Sequence, residues 1–149
     1  MSTKLGVAAL ALLAVTACSH SPAGTLPATQ QLTRRVSADP ARVVAATLST
    51  FGKYGIPVRE SNATKGEVQS VPLDLRSNWG ATPTQDRLNC PGGPDTTTAH
   101  VTFNAKAEPA DGGSLLTLNA QREGGGRCVL RSSFVTQLLD SIVTASQSS

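Results

Sequence analysis

The chain has 149 residues and carries 13 basic against 10 acidic side chains, a net charge of +3 at neutral pH. That balance lacks the dense basic face a nucleic-acid partner demands, and the length holds one small domain rather than two. With three Phe, one Trp and one Tyr in all, the core has to come mainly from Val, Leu, Ile and Ala.

Lys4, the apolar run Leu5–Val15 and the small residues that follow have the layout of a secretory signal peptide. Ser19, His20, Ser21 and Pro22 end the run well short of the roughly 20 apolar residues that a spanning helix needs. Within it, Val15-Thr16-Ala17-Cys18 resembles the lipobox of bacterial lipoproteins, with Val15 where Leu is commoner. The resemblance covers residues 1–19. It implies that 1–17 is a leader, and that Cys18 is acylated and becomes the first residue of the mature chain. Ser19 in place of Asp is similar to sequences sent on to the outer membrane. The expected location is therefore the bacterial cell envelope, with the chain held in the membrane through lipid on Cys18. The domain would face the periplasm or the outer surface, with the outer membrane favoured over the inner. Two or three acyl chains, at about 0.8 kcal/mol per buried CH₂, make such an anchor durable.

Giving Cys18 to lipid leaves Cys90 and Cys128 as one pair in an oxidising compartment. A disulfide between them closes a loop of 38 residues, for which chain entropy predicts roughly 4 kcal/mol of stabilisation. No C-x-x-C spacing marks a redox-active thiol.

Residues 18–36 are rich in Ser, Pro, Ala, Thr and Gln and read as a flexible tether with a reach of roughly 20–25 Å. Arg34-Arg35 within it meets anionic headgroups or stays a solvated part of the linker. Asp39-Pro40 opens the first helix as cap and first-turn proline. Val44, Leu48 and Phe51 make its apolar line, flanked by Val43, Thr47 and Tyr54, and Gly55-Ile56-Pro57 stops it. Residues 56–71 then read as a hairpin turned by Ser61–Gly66. Pro72, Pro83, Pro91 and Pro94 with Gly80, Gly92 and Gly93 exclude a long regular element from 72–98, which reads as a long loop. A second hairpin alternates through Val101, Phe103, Ala105 and Ala107, then returns through Leu116, Leu118 and Ala120. Cys128–Arg131 leads to a last helix capped by Ser132 or Ser133, with Phe134, Leu138 and Ile142 as its stripe.

This order predicts a two-layer α+β domain over 37–146. An antiparallel sheet of about four to five strands carries the N-terminal and C-terminal helices on one face, and 147–149 form a frayed tail. In element order alone the outline is loosely similar to the small domains of the lipoprotein accessories of the outer-membrane β-barrel assembly machine.

No catalytic constellation emerges. His100 lacks a second ligand at metal spacing, there is no G-x-S-x-G elbow, and Gly124-Gly125-Gly126 lacks the Lys-Ser/Thr of a phosphate loop. Glu60, Glu67, Asp74 and Asp86 are spread along the chain, and only their convergence in space would make an acid pair. Trp79 is the suggestive residue, either an interface anchor on the long loop or a plug for sheet edge or core. The expected function is a membrane-anchored envelope lipoprotein whose small non-catalytic domain binds a protein partner or assembly, without cofactor, metal or nucleic acid. The alternative is a lipoprotein that holds a small apolar or lipid-like ligand between sheet and helices.

Overall fold

The computed structural model describes residues 29–92 and 98–148. The leader 1–17, Cys18 and the first part of the tether lie outside the described residues. The second part is not a tether. Thr29–Val36 forms strand β1 and pairs along its whole length with β7 (Gly113–Gly124), from Thr29 opposite Gln121 to Val36 opposite Ser114. As a sheet edge it buries only Val36 fully, so the sequence carries polar residues on both sides of the strand and lacks the apolar alternation that usually marks one.

Helix α1 (Pro40–Lys53) begins where the sequence predicts. The Asp39 carboxylate accepts from the Arg42 N–H at 3.0 Å, and Pro40 occupies the first turn. Its buried face is rotated from the expected line: Val43, Val44, Thr47 and Phe51 point inward while Leu48 is 37% exposed. Thr47 is accommodated because its hydroxyl donates to the Val43 carbonyl at 2.8 Å. Gly55, at φ +67°, ends the helix, with Ile56 N–H donating back to the Phe51 carbonyl at 2.8 Å.

The remaining strands are β2 (Val58–Asn62), β3 (Glu67–Ser70), β4 (Leu73–Asp74), β5 (Leu88–Asn89), β6 (Ala99–Ala110) and β8 (Val129–Leu130), with a one-turn helix α2 (Thr84–Arg87) before β5. The main sheet runs β1-β7-β6-β3-β2, and β4 pairs with β6 beyond the end of β3. Every pairing is antiparallel. The fold is thus α+β with an open six-stranded sheet, one or two strands wider than predicted because β1 and β4 join it. Among its described residues, segment 72–98 holds β4, α2 and β5 as short regular pieces, in keeping with its prolines and glycines.

Val101, Phe103, Ala105 and Ala107 of β6 and Leu116, Leu118 and Ala120 of β7 are buried. Helix α3 (Ser132–Gln147) adds Phe134, Leu138, Leu139 and Ile142 to the same core. α1 contacts β6, β7, β2 and β3, α3 contacts β1, and the two helices contact each other. The cap of α3 differs from expectation. Arg131 stands at the N-cap and no side chain caps the helix; its guanidinium instead donates to the carbonyls of Gln85 and Leu88 at 2.9 and 2.8 Å. The helix also runs one residue past the predicted domain end, with Ser146 buried.

All five aromatic rings of the chain form one continuous string. Phe51 meets Phe103 at 6.1 Å, Phe103 meets Trp79 at 5.9 Å, Trp79 meets Phe134 at 6.2 Å, and Phe134 meets Tyr54 at 5.9 Å between centroids. Trp79 is its middle link.

The Cys90–Cys128 disulfide forms as the cysteine count predicts. It closes the small β5–β8 sheet, in which Leu88 faces Leu130 and Asn89 faces Val129. Replacing both cysteines by alanine is expected to lower the unfolding free energy by about 2–5 kcal/mol. Urea denaturation should show a lower midpoint and a somewhat steeper slope, because the unbridged unfolded chain exposes more surface; an unchanged midpoint would mean that the bridge constrains nothing.

Candidate functional site

The face of the sheet opposite the core is polar in a regular way, with Leu115 as the one large apolar side chain among the outward positions of β6 and β7. Because strand residues alternate between faces, the residues at 100, 102, 104, 106 and 108 of β6 and at 115, 117, 119 and 121 of β7 lie on this side. The register aligns Gln31, Asn119, Asn104, Gln69 and Glu60 as one row across all five strands of the main path. At about 4.8 Å between strands, such a row is roughly 19 Å long. Next to it runs a second row, Thr33, Thr117, Lys106, Glu67 and Asn62.

A groove of about 300 Å³ follows the part of these rows from β7 to β2, lined among others by Glu60, Glu67, Gln69, Asn104 and Asn119. Within it the Asn119 Oδ1 is buried and has no hydrogen-bond partner, a costly arrangement unless something donates to it. The carboxamides offer both donors and acceptors, so the row suits a ligand that presents its own alternating N–H and C=O groups or hydroxyls. Lys106 pairs with Glu108 at 3.0 Å, and its pKa is raised by that hydrogen bond and by the charges of Glu108 and Glu67. Thr33 and Thr117 hydroxyls meet at 3.3 Å.

Of the acids noted in the sequence, Glu60 and Glu67 come to this groove and the other two do not. The Asp74 carboxylate accepts from the Arg76 N–H at 2.8 Å, and Asp86 lies on α2. His100 is half-buried on the same sheet face, opposite Glu123. Among the described residues, no three His, Cys, Asp or Glu side chains converge as metal ligands would.

Trp79 is not exposed. It is 1% accessible, which removes the anchor reading and leaves the plug. Its Nε1–H donates to the Asp74 carbonyl at 3.0 Å and to Ser77 Oγ at 3.1 Å. The backbone delivers it through a contact only glycine permits: a Cβ on Gly55 would lie 2.1 Å from the Gly80 nitrogen. Over the indole lies Arg87, completely buried, with its guanidinium carbon 4.1 Å from the ring centroid.

A wider depression of about 720 Å³ runs along α1 and α3 past Ser49, Lys53, Thr136 and Asp140. It contains no unpartnered buried group; among the described residues the two such side-chain atoms are Asn119 Oδ1 and Arg87 Nη1. Neither is visible in the sequence, since a lone Asn in a strand and a lone Arg in a loop have no motif. Only the strict alternation around Asn104 and Asn119 places those two on the outer face.

No protein-family model matches the chain, and no curated protein matches it. Solved structures similar to it include a Chromobacterium violaceum protein, with 16% identity over 79% of this chain and 96% of that one and a TM-score of 0.36. Ara h 8.0201 is 18% identical over 80% and 95%, with a TM-score of 0.39. An uncharacterised Rhizobium leguminosarum protein is 13% identical over 82% and 95%, with a TM-score of 0.41. Likenesses at this level assign no function.

If Asn119 is held in the groove for recognition rather than folding, its loss costs the fold nothing. Asn119→Thr, which puts a strand-forming residue there, is expected to leave the unfolding free energy unchanged or to raise it by about 1 kcal/mol. A loss above 2 kcal/mol in urea denaturation would make Asn119 a structural residue.

Proposed function

We propose that the chain is a lipid-anchored bacterial envelope protein whose small, non-catalytic domain binds a protein partner through the outer face of its sheet. The observation that carries this reading is the row from Gln31 to Glu60, a hydrogen-bonding surface that includes the unsatisfied acceptor Asn119 Oδ1. Among the described residues both long helices contribute to the core on the other side of the sheet, which leaves this face to an extended segment of another chain. The Cys90–Cys128 disulfide supports an oxidising compartment, in keeping with the export signal and the acylation of Cys18. The outer membrane is the favoured site.

The interior supports surface recognition as well, because the space between helices and sheet is filled by the aromatic string. The alternative reading, a small apolar ligand held there, requires Trp79 to give way, and one observation at Arg87 favours it; that case follows below.

The test is photo-crosslinking in intact cells, with a benzoylphenylalanine at Thr117 on the outer face or at Thr136 on α3. A discrete adduct from Thr117, abolished by Asn104→Ala with Asn119→Ala, is expected. In the same preparation the N-terminal peptide should begin at an acylated Cys18. Equal adducts from both positions, or no effect of the alanines, would contradict the sheet-face assignment. An unmodified Cys18 in the membrane fraction would contradict the anchor.

A further inference from the structure

Arg87 is the one charged residue that is buried among the described residues. Its Nη2 donates to the Ser77 carbonyl at 2.7 Å and to Thr84 Oγ1 at 3.3 Å, and its Nε to the Thr82 carbonyl at 3.4 Å. Its Nη1 is buried with no acceptor, and neither ion pair among the described residues involves it. Every partner it has is neutral. A buried cation without a counter-charge is costly, and burial accordingly pulls the guanidinium pKa down. The cost is carried by an irregular segment: Trp79 and Arg87 both come from the stretch between β4 and β5.

Beneath that cation lies an apolar slot. The indole that fills it rests on Phe103 and Phe134, with ring centroids at 5.9 and 6.2 Å, and Arg87 forms its roof at 4.1 Å. Remove the indole and what remains is an aromatic floor beneath a guanidinium whose Nη1–H groups have nothing to bind. That combination is complementary to an apolar chain that ends in an anion, and a single chain with a carboxylate is the simplest such molecule.

We propose that the Trp79 slot is a binding site in its closed form. A single-chain carboxylate amphiphile opens it by displacing the indole, lays its hydrocarbon on Phe103 and Phe134, and pairs its head with Arg87. The pairing supplies Nη1 with the charge-assisted hydrogen bond the closed state lacks, and the hydrocarbon replaces the buried area that the indole gives up. No bond is made or broken. The site lies on the core side of the sheet, opposite the amide rows, so it stands or falls independently of the protein-binding face.

Because Trp79 is the only tryptophan, its emission reports the exchange directly. The full chain is titrated with decanoate below its aggregation concentration, and in parallel with decanol, which has the same chain and no charge. The expected result is a saturable red shift of the emission as the indole leaves the core, with decanol at least tenfold weaker. Arg87→Met should bring decanoate down to the decanol response, while Arg87→Lys, which keeps the charge, should keep part of the preference. Emission that does not move with decanoate, or that moves equally with decanol, overturns the proposal. The comparison of the two ligands on the unaltered chain decides the question even where a variant fails to fold.

Discussion

The structure depends on the packing of Trp79 between Phe103 and Phe134. A chain with only five aromatic residues has little large apolar surface to spend on a core, and here all five rings are joined in one string through that indole. A buried Trp contributes 150–250 Å² of area, which corresponds to roughly 4–6 kcal/mol of transfer free energy. No strand or long helix supplies it. A proline- and glycine-rich segment carries it in, pressed backbone to backbone at Gly55 and Gly80 and closed off at its far end by the disulfide at Cys90.

A segment without long ladders must satisfy its carbonyls in another way, and arginines do so at several of its described positions, as they do in the turn after β7. Arg87 binds the carbonyls of Ser77 and Thr82, Arg131 those of Gln85 and Leu88, and Arg122 those of Cys128, Gly125 and Gly126. Guanidinium groups suit this work because each offers five donors in a fixed plane. Arg131 is thereby drawn to α2 and β5 from the N-cap of α3. The same device leaves Arg87 with one nitrogen unmatched, and that is the physical origin of the interior site.

How much of this the sequence discloses follows from where each signal resides. Both long helices, both hairpins and the cysteine pair are legible because their cues are local: Asp39-Pro40, Gly55, the alternation from Val101 to Ala107, and the count of cysteines. β1 is hidden because an edge strand with one fully buried residue has no periodicity to show. Leu48 reads as inward because helical spacing fixes a face only to within one neighbouring line, and the flanking Val43 and Thr47 take the buried one. Trp79 is ambiguous by nature, since a loop tryptophan reads alike whether it faces solvent or core. Arg87 and Asn119 owe their interest to what surrounds them in space, and sequence spacing carries none of that.

The place of this loop tryptophan as the keystone of the core is open to a direct measurement of its solvent access. Acrylamide quenching of the native chain's emission should be slow, and should rise to that of a free indole in one cooperative step as urea unfolds the protein. Quenching in the native state as fast as in the unfolded state would place the indole in water and contradict the account.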